Sequence, residues 1–455
     1  MRLNNKGFAI SSIMYIILIM CIILITVTLS ILSSRNLILD KQKRETLNGI
    51  YNEEVYNSPS IPELIGGLTP VVYQDNNWKV ADTSKEWYNY SKQEWANAVI
   101  LNTDVSKNAG ATVDVSSEVK AMLVYIPRYE YKIEGQYGKG GTSATSPGEI
   151  EVNFITKDKT QASAGYRVHP AFTFGSEELN GIWVGKFETS HTTLSSSTTN
   201  NNLGCSNENC TNADGLRILP NVASLRYNNV SNMFYAVRSM TRSGNGFGLS
   251  SSNVDSHMMK NSEWGAVAYL SQSKYGKYGN SMYTGANKEI YQNKSSSYIT
   301  GNSNGTPSQS SSNTQCEYNN ITDRGSGTGS CGGGASTTGN ITGIYDMSGG
   351  AAEYVMGNYN STIGSTGFSA LPAAKYFDTY TTTTETTACN NGICYGQALS
   401  ETSGWYSDNV VFVNSSSPWF NRGGGYNSIL YAGVFCFYGY SGYADSNGSL
   451  RVVVS

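Results

Sequence analysis

Charged side chains are scarce in this chain. Asp, Glu, Lys and Arg make up only 14% of its 455 residues, and the formal net charge is -3. A protein that binds nucleic acid needs a basic surface to neutralise phosphates, so this composition argues against a nucleic-acid partner. Only three histidines occur, which leaves few ligands for a histidine metal site. Gly (48) and Tyr (32) are abundant instead, as in a loop-rich, weakly charged surface.

One long segment lacks charge altogether. Residues 8–32 contain 25 residues without Asp, Glu, Lys or Arg, which as a helix would span about 37 Å, more than the roughly 30 Å hydrocarbon layer. The run continues into a polar segment without a small-residue cleavage site, so we expect an uncleaved anchor within 1–34 and a stalk over 35–60. Basic residues flank both ends, so the charges leave the orientation of the anchor open.

Eight cysteines bear on the compartment, and six of them form close pairs in Asn/Ser/Gly-rich stretches. Zinc would require two pairs to converge, and none has the C-x₂-C spacing of a zinc ribbon. Local disulfides in polar loops are typical of exported proteins, so we expect the body of the protein to lie outside the cytoplasm. The expected pairs are Cys205 with Cys210, Cys316 with Cys331, and Cys389 with Cys394.

The distribution of aromatic and apolar residues predicts a mixed α+β fold. Three tryptophans recur among β-branched and turn residues in 61–118, which predicts a small Trp-rich β meander. Residues 121–133 and 180–190 partly alternate apolar and polar side chains, as half-buried strands do. Trp264 and Val267 lie at helical spacing, which favours a short amphipathic helix.

Six motifs in a consistent order resemble the formylglycine-generating-enzyme (sulfatase-modifying factor) domain. They are "AMLVYIPRYEYKI", "WVGKFETS", "MMKNSEWGAVAYL", "GIYDMSGGAAEYVMG", "NRGGGY" and "GSLRVVV". The resemblance covers residues 119–455 and implies a C-type-lectin-like, loop-rich α+β domain whose last strands return beside its first. Enzymes of that family use two cysteines beyond the Arg-Gly-Gly segment, whereas only Cys436 lies beyond Arg422 here. We therefore expect no enzymatic activity, no catalytic residue and no cofactor.

The remaining ionisable residues of these motifs have a structural interpretation. Glu263, Asp346 and Glu353 could serve as a general acid or as calcium ligands, and structural calcium stays open. Carboxylates in such motifs more often cap helices or pair with arginine, for which Arg422 and Arg451 are available. The histidines, His169, His191 and His257, are scattered, so we interpret them as structural or surface residues and assign no metal site.

The closing segment, 419–455, resembles the variable proteins of diversity-generating retroelements. In that family, adenine-directed mutagenesis rewrites Asn-type codons of the terminal segment and leaves a scaffold unchanged. Such codons cannot become Lys, Glu, Gln, Met or Trp, and none of these five follows Trp419. The scaffold residues implied are Trp419, Arg422, Gly423, Gly424, Phe435, Phe437 and Arg451. The ligand-binding residues implied, all expected to face solvent, are Asn427, Ser428, Ile429, Leu430, Tyr431, Cys436, Tyr438, Gly439, Tyr440, Ser441, Tyr443, Asp445, Ser446 and Asn447.

The N-terminus resembles a type IV prepilin leader, in which the peptidase would cut between Gly7 and Phe8. The position of the family's glutamate is Ser12 here, which argues against assembly into a pilus. Tyr, Ser, Gly and Asn are also the residues of antibody paratopes. We therefore predict a bacterial, membrane-anchored, cell-surface protein that binds an external protein or glycan. The alternatives are a divergent oxidase of the formylglycine-generating class and a pilin-like structural adhesin.

Overall fold

The computed structural model describes residues 61–194, 202–283, 288–303, 316–319, 332–390 and 392–455. The predicted leader, anchor and stalk lie outside these residues, as do Gly7, Phe8 and Cys331. Within the described residues, no helix has the length and apolar character that a membrane crossing requires. All of them belong to one compact unit, Val55–Ser455.

The fold is α+β, as predicted, and its described part is dominated by short strands and loops. The α-helices of the described residues are α1 (Val230–Arg238), α2 (Asn261–Ser271) and α3 (Glu385–Cys389). The strands of the first half are β1 (Thr69–Gln74), β2 (Asn77–Val80), β3 (Asn97–Leu101), β4 (Val119–Pro127), β5 (Tyr129–Lys132), β6 (Glu151–Phe154), β7 (Arg167–Val168), β8 (Thr173–Phe174), β9 (Glu177–Glu178), β10 (Gly181–Gly185), β11 (Ser190–His191) and β12 (Leu216–Arg217). Those of the second half are β13 (Ser256–Met258), β14 (Ala352–Tyr359), β15 (Asp378–Tyr380), β16 (Val410–Val411), β17 (Trp419–Gly423), β18 (Gly433–Tyr440), β19 (Gly448–Leu450) and β20 (Val452–Val454).

The larger sheet is antiparallel and has the strand order β13-β20-β10-β4-β3-β1-β2. The Trp-rich region contributes β1, β2 and β3 to this sheet, next to β4. Its expected meander order is wrong, because β3 pairs with β1 rather than with β2. The segment predicted as one half-buried strand over 121–133 is divided at Arg128 into β4 and β5, which are almost wholly buried. The C-terminal strand β20 pairs with β10, one strand away from β4.

The second sheet carries the C-terminal segment. Its strand order is β15-β14-β17-β18-β16, with β19 pairing in parallel with β14. Strand β17 lies antiparallel between β14 and β18, with Arg422 opposite Glu353 on one side and Phe437 on the other. The edge strand β16 pairs in parallel with β18. Residues 419–440 therefore form the centre of this sheet.

Helix α2 is buried along its whole length, so the expected amphipathic helix is wrong. Its first turn is capped by Glu263, whose carboxylate accepts a hydrogen bond of 2.8 Å from the backbone N of Lys260. Trp264 donates from Nε1 to the carbonyl of Val434 at 2.8 Å, which joins the helix to β18. A Cβ on Gly265 would lie 2.0 Å from the carbonyl of Gly396, so only glycine fits there. The protein surrounds this helix, which explains why neither face is polar.

The two sheets are joined by Arg451, which lies between β19 and β20. Its guanidinium forms a two-pronged ion pair with Glu353 of β14. It also donates to the carbonyls of Gly185 in β10, at 2.8 Å, and of Tyr345, at 3.0 Å. Both charged side chains are fully buried. One arginine therefore fixes the path of the final strands from one sheet to the other.

Candidate functional site

The seven scaffold residues named from the sequence are all buried. Phe435 and Phe437 lie in β18, and Trp419 and Arg422 lie beside them in β17. Gly423 and Gly424 have φ angles of +78° and +70°, which ordinary residues rarely adopt. A Cβ on Gly424 would also meet Cα of Ala432 at 2.8 Å. The backbone needs glycine at this point to leave β17 and begin the outer turn.

Twelve of the fourteen proposed ligand-binding residues reach the surface. They occupy two segments, the turn after β17 and the end of β18 with the loop that follows it. The exposed ones are Asn427, Ile429, Leu430, Tyr431, Tyr443 and Asn447, and the half-buried ones are Ser428, Tyr438, Gly439, Tyr440, Ser441 and Ser446. Tyr431 is the most open of them, with 63% of its surface exposed. The fold thus presents two outward segments on a buried support.

Cys436 and Asp445 are buried, contrary to the expectation that they face solvent. Cys436 lies in the first part of β18, which is covered on both faces, and burial raises the pKa of its thiol. The carboxylate of Asp445 turns inward to accept a hydrogen bond of 2.7 Å from the backbone N of Asn447. Cys436 is therefore a packed residue, and Asp445 shapes the loop before β19.

Three tyrosines form a cluster where β18 ends. The rings of Tyr440 and Tyr443 are stacked, with centroids 5.1 Å apart and an angle of 28° between planes. Their hydroxyls share a hydrogen bond of 2.7 Å. Tyr438 meets Tyr440 edge to face at 6.1 Å, and Tyr354 of β14 lies beneath them and donates to the carbonyl of Tyr443 at 3.0 Å. The cluster offers a preformed aromatic surface with little conformational freedom to lose on binding.

A second aromatic cluster includes residues that the sequence did not identify. Tyr298 packs against Tyr426 with centroids 4.9 Å apart, and its hydroxyl donates to Asn447. The guanidinium of Arg226 lies 3.6 Å from the Tyr298 ring centroid and donates to the carbonyl of Ser446. Tyr298 belongs to a Ser-rich stretch with no periodicity, so no signal in the sequence placed it here. Residues outside 419–455 therefore support the same surface.

Two buried ionisable groups lie under this surface. The carboxylate of Asp408 accepts a hydrogen bond of 2.9 Å from the backbone N of Phe435, and burial raises its pKa to about 8. A Cβ on Gly433 would come within 2.1 Å of the Asp408 carboxylate, so glycine admits this contact. Arg422 donates to the carbonyl of Ala398 at 3.0 Å, and burial lowers its pKa to about 10. Both groups form hydrogen bonds inside the fold and are not available to a ligand.

The acidic residues of the motifs fulfil structural roles. Glu353 pairs with Arg451, and burial raises its pKa to about 7. Glu263 caps α2 and lies 2.8 Å from Nε2 of His257, whose Nδ1 lies 3.1 Å from Asp255. Burial opposes a charge on His257, but the two carboxylates raise its pKa.

Asp346 accepts hydrogen bonds of 2.9 Å from the side chain of Asn293 and from the backbone N of Gly301. Arg422 differs from the expectation, because its donors meet carbonyls instead of a carboxylate. The histidines, His169, His191 and His257, are all buried in aromatic or hydrogen-bonded surroundings.

Two of the three predicted disulfides are present, Cys205–Cys210 and Cys389–Cys394, with Cα atoms 5.3 Å and 5.0 Å apart. The third prediction involves Cys331, which lies outside the described residues. The two cysteines of each bridge are five positions apart, and Cys389 is the last residue of α3 rather than part of a loop. Within the described ranges, no group of three or more His, Cys, Asp or Glu side chains has an arrangement suited to a metal ion.

Four of the cavities formed by the described residues open elsewhere on the protein. Those of about 440 and 360 Å³ flank the β1–β2 hairpin and share Tyr73 and Trp78 as wall residues. Those of about 590 and 310 Å³ share Ser400, Glu401 and Ser403. None of these four has a wall residue from 419–455. The candidate site is thus a surface of tyrosines and turns apart from these clefts.

No protein-family model matches the chain. A search of curated proteins gave no significant match.

Proposed function

We propose that this protein is a non-enzymatic, membrane-anchored binding protein of the bacterial cell surface. Its C-terminal domain has a C-type-lectin-like fold of the formylglycine-generating-enzyme type, and the surface of 427–447 recognises an external protein or glycan. The segment 419–455 is diversified in the manner of retroelement variable proteins. The motif order along the chain supports the family, and the α+β fold with its returning C-terminal strand is compatible with it.

One observation carries the binding role: the division between a buried support and an outward set of side chains. All seven scaffold residues are buried, whereas twelve of the fourteen proposed ligand-binding residues reach the surface. The outward set is rich in Tyr, Ser, Gly and Asn, which provide rigid contact area and adaptable hydrogen bonds. Substitutions in the outward set alter recognition with little cost to folding. Diversification then concerns those twelve positions, and Cys436 and Asp445 stay constant.

The oxidase alternative lacks comparable support. Cys436 is the free cysteine of the described residues, and burial raises the pKa of its thiol. A thiolate ligand or nucleophile needs the opposite environment, partly exposed and electropositive.

The test compares the full-length chain with the double variant Tyr440→Ala/Tyr443→Ala on a glycan array and an array of bacterial surface proteins. Ligands bound by the wild type are expected to lose at least tenfold in affinity with the variant, at nearly equal melting temperature. Tyr137→Ala, which changes a half-buried tyrosine distant in sequence from 419–455, is the matched control. Equal capture by the double variant would refute the binding surface.

Diversification has its own test, the DNA around the gene. An imperfect repeat of the segment that encodes 419–455, with adenine positions that differ, is expected near a reverse transcriptase gene. Sibling copies should differ at the twelve outward positions and agree at the buried ones. Copies that are identical at Asn427–Tyr431 and Tyr438–Ser441 would refute it.

A further inference from the structure

The sheet that carries the candidate site ends in an apolar strand. β16 is the last strand on its side of the sheet in the described part of the chain, and it pairs with β18 alone. Its side chains, Val410 and Val411, are 36% and 49% exposed. The backbone N of Asn409 donates to the carbonyl of Tyr431 at 3.2 Å, so the turn Ile429–Tyr431 lies against this strand. The five residues Val410, Val411, Ile429, Leu430 and Tyr431 are called the apolar edge.

The stretch of chain that carries the apolar edge, 404–450, exposes no charged side chain. Residues 404–450 are all described, and their charged side chains, Asp408, Arg422 and Asp445, are all buried. Nine large apolar side chains are exposed in the described residues. Six of these nine are the five of the apolar edge and Tyr443. An apolar patch depleted of charge is the composition of the centre of a protein–protein interface, and on a soluble surface it requires an explanation.

We infer that the apolar edge takes an extended, uncharged segment of a partner protein, which adds as a strand beside β16. An edge strand offers unpaired N–H and C=O groups, and strand addition uses them for affinity while side chains give specificity. Val410 and Val411 lie before the variable segment, so they supply a constant part of the contact. The side chains of the edge offer a single hydroxyl, that of Tyr431, which gives a glycan few partners. The inference rests on the proposed function, which makes this end of the domain the ligand-binding end.

The first experiment selects binders from a phage-displayed library of random twelve-residue peptides on the immobilised full-length chain. The selected peptides are expected to be rich in Val, Ile, Phe and Tyr and poor in charge. Their affinity should fall at least tenfold with Val410→Asp/Val411→Asp and with Tyr431→Ser. The control Ile393→Asp changes an apolar side chain that is 50% exposed but distant in sequence from the edge, and it should change nothing. Equal affinity for wild type and the double variant, with an unchanged melting temperature, overturns the inference.

The second experiment tests strand addition itself and changes only the peptide. A selected peptide is synthesised in two forms, N-methylated at its odd or at its even positions. Because alternate residues of a strand direct their N–H groups to the same neighbour, one form should lose binding and the other keep it. Equal binding of both forms overturns strand addition.

Two further outcomes would identify another occupant and so overturn the inference. One is a dimer of the full-length chain in sedimentation that Val410→Asp converts to a monomer, which would show that a second copy covers the edge. The other is a glycan-array signal that Val410→Asp/Val411→Asp abolishes. Failure of the proposed function is separable, because its test alters Tyr440 and Tyr443 and leaves the apolar edge intact.

Discussion

The two halves of β18 differ in burial although they belong to one strand. The first five residues, Gly433–Phe437, are buried on both faces, and the last three are half-buried. Covering of the first half by α2 and the Asp408 segment removes the usual alternation of inward and outward side chains. The second half continues past this cover and presents tyrosines. Position along the strand, rather than alternation, decides which residues can meet a ligand.

The largest expected effect comes from removing the buried ion pair between Arg451 and Glu353. Arg451→Met leaves the Glu353 carboxylate buried without its partner, which costs about 3–5 kcal/mol of unfolding free energy. Urea unfolding followed by circular dichroism measures this loss. Arg422→Met is the internal comparison. The guanidinium of Arg422 donates to backbone carbonyls, so its removal leaves no buried carboxylate without a partner. A larger loss with Arg422→Met than with Arg451→Met would contradict this account.

A smaller loss is expected from opening the buried Cys389–Cys394 bridge. Replacing both Cys389 and Cys394 by serine releases a five-residue loop and should cost roughly 2 kcal/mol by the loop-entropy relation. Reductant should lower the melting temperature of this double variant less than that of the wild type, because the variant no longer has this bridge to lose. The corresponding double variant, Cys205→Ser/Cys210→Ser, measures the same effect at the other bridge. No change in either variant would mean that the bridges add nothing to stability.

The pH dependence of stability that Asp408 causes tests whether this side chain is buried against the first half of β18. Burial raises its pKa to about 8, whereas the unfolded chain titrates near 3.9. The neutral form is favoured in the fold, so its contribution is complete below about pH 4 and declines as the pH rises towards 8. Asp408→Asn keeps an acceptor for the backbone N of Phe435 and removes the titration. Relative to wild type, the variant should therefore gain stability between pH 5 and pH 8, measured by urea unfolding at both. A constant difference across this range would show that Asp408 is ionised in the fold.

The α+β class of the fold and the buried scaffold residues of the site could be predicted from the sequence. Glycine at positions of positive φ and closely spaced cysteine pairs are local features that a single chain displays. The burial of Cys436 and of all of α2 depends on which other segments pack over them. A local sequence pattern does not contain this information. The site also includes Tyr298, Arg226 and Val410, which reach it through contacts between segments that are distant in sequence. Such contacts leave no periodic signal in one sequence.

The smallest effect is expected at the outermost tyrosine, where folding and recognition separate most clearly. Tyr443 is 45% exposed, and its ring stacks on Tyr440 at the surface, so Tyr443→Ala should change the unfolding free energy by less than about 0.5 kcal/mol. Tyr354 is a matched control within the same cluster, but it is fully buried, and Tyr354→Ala should cost about 3 kcal/mol. Urea unfolding of both variants gives the contrast directly. A loss at Tyr443 comparable to that at Tyr354 would mean that the tyrosine cluster is part of the packed core, and the outer half of β18 would then have no freedom to vary.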